Sequence, residues 1–314
     1  MNILHVCPAN VATGGVDGIH RLVDALNNLG ADAKILYCNG DLKSPKPARY
    51  RHYNCPYIID FPDAFDGLII FPEIWGNRVI KRKFRKCLTA INWQGVDVYN
   101  WHTPISERGL FLQNKDTMHI TMSEYGMQFL QGLGLSPIKI SDCLEDIYFE
   151  PFDDVYERGD IVLYNPVPAK LTDFQRQVMY ECQSSFDIQF LPITNYSAIE
   201  VRELFRQSKL YIDFGQFSGR ERLPREAVMC GCCILTSKMG AANNWTDNSI
   251  PKYYKLDDKT DAINKILYVL KNYSLCRPDF DTYRELLRAD KQNYPNEVKE
   301  LYNEILNHYS SIQR

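Results

Sequence analysis

The run SGRERLPREAVMCGCCILTS, Ser218 to Ser237, sets Arg220, Arg222 and Arg225 around Pro224 and Glu226 and then places Cys230, Cys232 and Cys233 within four residues. Two chemistries compete for this stretch: thiols that ligate a metal, or guanidinium groups that grip an anion. A zinc site generally wants four ligands, commonly with Cys-x-x-Cys spacing. CGCC lacks that gap and has no companion Cys/His cluster, so its cysteines are expected as small core residues between a helix and a strand. Pro224 suits the first turn of a helix that Gly231 is placed to end. Arg220, Arg222 and Arg225 at a helix start oppose the helix dipole unless an anion sits there, which points to a bound diphosphate. Glu226, in the same turn, can accept two hydrogen bonds from the vicinal hydroxyls of a neighbouring sugar. The bland alternative is a solvated charged turn in which Glu226 merely complements the dipole.

Three other loops belong with this one. In CPANVATGGVDGIHR, Gly14 and Gly15 can let the backbone approach a phosphate or sugar at the start of a helix; a flexible turn is the alternative. The spacing is not G-x-G-x-x-G and no acid ends the second strand, so no dinucleotide cofactor is expected. Lys170 in NPVPAK can reach the same phosphates, and Gly240 in SKMGAANN lies in a small-residue loop that a ligand can approach closely. The single Asp-x-Asp, Asp279 and Asp281, stands where helix capping explains it better than a metal, so no metal site is expected.

The elements that must position these loops alternate short apolar runs with amphipathic segments. NILHV, AKILYC, GLIIF, LTAINW, HITM and IKI precede a polar stretch at 149–160, after which IVLYN, IQFLPI, LYIDF, CCILT and YYKL follow. Helices are expected from about Gly18 to Gly30, after the capping box of Ser197 and Glu200, near 260–273, and roughly over 295–309. Such alternation predicts an α/β protein of two Rossmann-like domains facing a cleft, with ligand loops at the carboxyl ends of the strands. The expected bounds are 1–150, 151–290, and a C-terminal helix over 291–314 that packs back on the first domain. A chain with 45% apolar residues, 24% charged residues and a net charge of −3 is ordinary and globular, and offers no dominant surface for nucleic acid. Ten cysteines scattered through apolar runs, with no basic leader in MNILHVCP, are expected to be reduced thiols in a cytoplasmic protein.

The layout, and RLPREAVMCGCCILTSKMGAA in particular, resembles the GT-B glycosyltransferases, above all the retaining branch that uses nucleotide-diphosphate sugars. PANVATGGVDGIHRLVDALNNLGADAKILY resembles that family's glycine loop and first helix. PEIW, INWQGVDVYNW, HITMSEYGMQFLQGLG, YNPVPAK and LYIDFG are similar to a bacterial subgroup associated with surface polysaccharides. The resemblance implies that Glu226 binds the donor's ribose and that Lys170 meets its phosphates. It also implies a second glutamate eight positions earlier and an arginine five positions before the lysine; here those places hold Ser218 and Asn165. Glu221, offset by three positions, does not simply replace the missing acid.

Glycosyl transfer develops negative charge on the departing diphosphate, which fixed cations can stabilise without metal. Lys170, Arg220 and Arg222 are the expected leaving-group contacts, with Gly14, Gly15, Ser218, Arg225, Glu226 and Gly240 around the donor. An inverting enzyme would also need a base in the first domain. Glu73, Asp97 and His102 all follow strand-like runs, and each is equally explicable as a turn or capping residue. The run RVIKRKFRKC, 78–87, is expected to be a basic amphipathic helix, either resting on anionic lipid beside a lipid-linked acceptor or simply solvated. The partners so implied are a nucleotide sugar and a glycan or lipid-linked acceptor, with no other cofactor. The alternative is a non-catalytic protein of the same fold that binds a sugar nucleotide or a glycan.

Overall fold

The computed structural model describes residues 1–81, 87–151, 157–168 and 170–312. The chain divides into two compact units: Met1–Asp142 together with the residues from Asn293 on, and Cys143–Gln292.

In the first unit, β1 (Asn2–Pro8), β2 (Asp32–Cys38), β3 (Tyr57–Ile58), β4 (Leu68–Pro72), β5 (Leu88–Trp93), β6 (Met118–Thr121) and β7 (Ile138–Lys139) form one sheet. The order is β3-β2-β1-β4-β5-β6-β7 and every pairing is parallel. β4 and β5 are buried from end to end, as central parallel strands covered on both faces must be. Helix α1 (Gly14–Asn28) starts at Thr13, whose hydroxyl accepts from Val16 N–H, and buries Ile19, Leu22, Val23 and Leu26. Gly30 follows its end at φ +87°, a conformation glycine adopts without steric cost. Helices α2 (Val96–His102) and α3 (Glu124–Gly132) follow β5 and β6.

The second unit carries β8 (Gly159–Tyr164), β9 (Gln189–Pro192), β10 (Ser208–Asp213) and β11 (Cys233–Thr236) in the order β11-β10-β8-β9, again all parallel. Its helices are α4 (Asp173–Phe186), α5 (Ala198–Gln207), α6 (Arg222–Met229), α7 (Lys259–Lys271) and α8 (Tyr273–Cys276). The capping box of Ser197 and Glu200 opens α5.

Helix α9 spans Asp281–Ile312 and contains Pro295. The proline made a start near residue 295 the natural expectation, because it removes one intrahelical N–H bond. Buried Tyr283 and Leu287 ahead of it, and Val298, Leu301 and Ile305 beyond it, hold both sides helical. The latter part packs within the first unit. Tyr309 donates to Asp66 at 2.6 Å, and the Glu297 carboxylate accepts from the N–H and hydroxyl of Ser141 at 2.6 and 3.0 Å.

YYKL is not a strand. Lys252–Tyr254 form a 3-10 turn after Pro251, and only Lys255 bridges to Thr236. Tyr253 and Tyr254 both donate to the same Asp279 oxygen, at 2.9 and 2.7 Å, so they share a face that strand alternation would have divided. Half of the basic run 78–87, residues 82–86, lies outside the described residues; its first three residues belong to the 3-10 turns of Glu73–Ile80 and Lys81 is extended, so the run does not open as the expected amphipathic helix. Among the described residues no helix is long and apolar enough to cross a membrane.

Each sheet has one topological switch point, where successive strands are added on opposite sides and the loops at their carboxyl ends part. In the first unit it lies between β1 and β4; in the second, between β8 and β10.

Candidate functional site

In the second unit the loops after β8 and β10 carry the residues singled out by the sequence. Asp213 ends β10, buried; its carboxyl is pushed up to about 7 by burial, while the Lys170 charge works the other way. One Asp213 oxygen accepts from Gly215 N–H at 3.0 Å. Gly215 lets the Lys170 backbone come close, since a Cβ there would stand 2.9 Å from the Lys170 carbonyl. Lys170 Nζ donates to the Gln216 carbonyl at 2.8 Å and to Glu221 Oε1 at 2.5 Å. Glu221 Oε1 also accepts from the Ser218 N–H and hydroxyl, at 3.4 and 3.5 Å. Lys170, Ser218 and Glu221 are therefore one cluster. Asn165 faces its own loop, its Oδ1 accepting from Val167 N–H at 3.1 Å.

The arginines separate into different roles. Arg220 Nη2 donates to Asp290 Oδ2 at 2.6 Å, 70 residues along the chain. Arg225 is 1% exposed and donates to the carbonyls of Glu221 (3.0 Å) and Arg220 (2.7 Å). These bonds brace the loop, since a guanidinium buried so deeply needs acceptors. Arg222, the first residue of α6, stands near Glu226 and lowers that carboxyl's pKa.

Glu226 itself is buried and its carboxyl is pushed up to about 7, burial outweighing Arg222, Arg225 and a hydrogen bond from Tyr148. Tyr148 sits in the 3-10 turn Asp146–Phe149. Gly240 stands at φ +62°, and Phe217, the neighbour of Ser218, bridges to it.

CGCC builds the floor. Cys230, Cys232 and Cys233 are free, buried thiols, and burial raises all three above the ordinary thiol range. The Cys232 thiol donates to the Phe205 and Ser208 carbonyls, while Arg158 donates to those carbonyls and to that of Cys230. Among the described residues no group of three His, Cys, Asp or Glu side chains is arranged to hold a metal ion. Asp279 serves the two tyrosines and Asp281 pairs with Arg284.

In the first unit, the switch point gathers Gly15, Glu73 and Gln94. Gln94 Nε2 donates to the Gly15 carbonyl at 2.8 Å, and Gln94 N–H donates to Glu73 Oε2 at 3.4 Å. Glu73 is buried; burial pushes its carboxyl up to about 7 against backbone N–H donors that include Gly95. Asp97 lies apart in the first turn of α2, accepting from Tyr125 at 3.4 Å, and His102 is exposed at that helix's last residue. Of the three expected base candidates, only Glu73 stands with the glycine loop.

Sequence reasoning missed Tyr148, Asp213, Gln94 and the role of Glu221. Asp213 was findable as a carboxylate at a strand's carboxyl end, and Ser218-x-x-Glu221 has the capping-box spacing that lets the two side chains meet. Tyr148 and Gln94 carry no local signal.

No protein-family description and no curated protein matches the chain. Solved structures do. Sucrose-phosphate synthase from Thermosynechococcus elongatus aligns over 98% of this chain and 99% of its own, with a TM-score of 0.69 at 13% identity. HepE of Anabaena, solved in complex with UDP-glucose, aligns over 99% and 100%, with a TM-score of 0.67 at 12% identity. An α-glucosyltransferase in complex with UDP and a 13-mer DNA aligns over 97% and 98%, with a TM-score of 0.58 at 9% identity. These likenesses establish the fold, which is that of the GT-B glycosyltransferases.

Proposed function

We propose that this GT-B chain is a glycosyltransferase that moves a sugar from a nucleotide-diphosphate donor to a glycan or lipid-linked acceptor. The observation that carries the reading is the arrangement at the second unit's switch point. Lys170 from the loop after β8 meets Ser218 and Glu221 from the loop after β10, and buried Glu226 follows within α6. Phosphates suit an ammonium beside backbone amides, and a sugar's vicinal hydroxyls suit a carboxylate.

In this reading Glu226 accepts hydrogen bonds from the donor's ribose. Those new donors stabilise the carboxylate form, so ribose binding draws its raised pKa back down. Lys170 and Arg222 offset the charge that develops on the leaving diphosphate, and Arg220, shared with Asp290, adds to the field. Gly240 lets backbone come close to the donor in the second unit, and Gly14 and Gly15 give the first unit's glycine loop the same openness. Glu73 is the group in the first unit suited to taking an acceptor proton, because its carboxyl titrates near neutrality. Contact with a membrane through 78–87 belongs to the same proposal and rests on the charge of that run, and a cytoplasmic location rests on the ten free cysteines.

Nucleoside diphosphate binding to Glu226→Ala tests the site. Loss of a charge-assisted hydrogen-bond pair predicts affinity weaker by about 10- to 100-fold. Unchanged affinity would remove Glu226 from the donor site.

A further inference from the structure

Lys170 is the cation that the donor-site reading sets against the leaving diphosphate, and the role assigned below to its partner Glu221 depends on that reading. Its ammonium is already committed within the chain, to the Gln216 carbonyl and the Glu221 carboxylate. Glu221 Oε1 gathers an ammonium, a backbone amide and a hydroxyl, from Lys170 and from Ser218. That is the donor set a phosphate oxygen would use. Glu221 also immediately precedes α6 and makes no capping bond to the free amides of its first turn. The carboxylate turns to Lys170 instead.

Charge decides whether Glu221 and a phosphate can share this place. Asp213 already stands buried near Lys170, Arg220 has Asp290, and Arg222 and Arg225 lie near Glu226. A phosphate brought to Lys170 with Glu221 still seated would put like charges a few ångströms apart, where they repel strongly in a partly desolvated site. The Lys170–Glu221 pair is partly open, with side chains 13% and 23% exposed. Neither side chain is sealed from water, so the carboxylate has somewhere to go when another anion takes its place.

We infer that Glu221 is an internal anion seated in the diphosphate position on Lys170, and that a nucleotide-diphosphate donor binds by displacing it. Glu221 then discriminates among ligands. A nucleoside without phosphates gains nothing from Lys170 and leaves the ion pair closed, whereas a diphosphate replaces the carboxylate with a more highly charged partner.

The test is calorimetric titration of the wild type, Glu221→Gln and Glu221→Ser with UDP, GDP, ADP, CDP and dTDP, after thermal unfolding confirms that each variant is folded. If Glu221 holds Lys170 about nine-tenths of the time, removing its charge tightens the best-bound diphosphate by ~10-fold, because apparent affinity scales with the fraction of sites open. The gain must disappear when Lys170→Met is added to either variant, and the matching nucleoside must show no gain. Tightening that depends on Lys170 supports the inference. Unchanged or weaker binding in both folded variants overturns it and leaves the donor site intact. Should no diphosphate bind even the wild type, the donor reading fails and this inference fails with it.

Discussion

Phe217 and Gly240 are joined so closely that a Cβ on Gly240 would stand 2.2 Å from the Phe217 carbonyl oxygen. That oxygen accepts from Ala241 N–H at 2.8 Å, and Phe217 N–H donates to Met239 O at 3.3 Å. The loop after β10 is thereby laced to the loop after β11, backbone to backbone. Gly240→Ala adds a methyl where φ is +62° and the obstacle is a carbonyl that cannot swing aside. A loss of about 2 kcal/mol or more is expected in urea unfolding, together with weaker nucleoside diphosphate binding. A variant with wild-type stability would show that the two loops are not fastened in this way.

Buried carboxyls predict the sign of a pH effect. Glu226 rises from an ordinary 4.5 to about 7, so between those values the folded chain holds a proton that the unfolded chain has released. Its contribution is fully present below about 4.5 and is lost as pH rises through 7. Glu73 and Asp213 act in the same direction, while His5, His20 and His119, lowered to about 4, oppose them at acid pH. The comparison that isolates the effect is Glu226→Gln against wild type. Moving from pH 5 to pH 8 should favour the variant progressively, by up to about 3 kcal/mol. A pH-independent difference would contradict the buried, raised carboxyl.

Thiol labelling tests the structural reading of CGCC. Eight of the ten cysteines are buried, and only Cys38 and Cys87 are half-buried. Native protein treated with a maleimide should be modified at those two sites at most, the others reacting only after unfolding. Rapid labelling at Cys230, Cys232 or Cys233, read by mass spectrometry, would contradict their place in the core.

Leu301 of α9 is fully buried in the first unit. Leu301→Ala should cost about 2–5 kcal/mol, as buried leucines do when a cavity replaces them. A change within about 0.5 kcal/mol, the size usual at surface positions, would mean that this part of the helix is not packed.

Much of this architecture was readable from the chain. LTAINW is β5 to the residue, mostly apolar because both of its faces are covered, with Thr89 and Asn92 hydrogen-bonded inside, and NILHV and AKILYC each fall inside their strands. YYKL looked equally strand-like, but Asp279, far along the chain, draws both tyrosines to one side. The start of α9 was hidden by Pro295, whose local penalty is outweighed by packing on either side. At the candidate site, the pairings were not legible. Nothing near Arg220 announces Asp290, and nothing near Lys170 announces Glu221, because both pairings depend on where separate loops meet. The bonds of Arg225 were hidden for the same reason: a charge beside a helix start can reach its own loop's carbonyls, and only the folded backbone shows it.

The most direct measurement is turnover of a panel of nucleotide sugars, with release of nucleoside diphosphate measured in the presence and absence of glycan and lipid-linked acceptors. At least one donor should be consumed, and Lys170→Ala should lower the rate by about 100-fold or more as the leaving group loses its fixed cation. A chain that binds a nucleoside diphosphate yet neither transfers nor hydrolyses any sugar would contradict the proposed function and would be a sugar-nucleotide-binding protein instead.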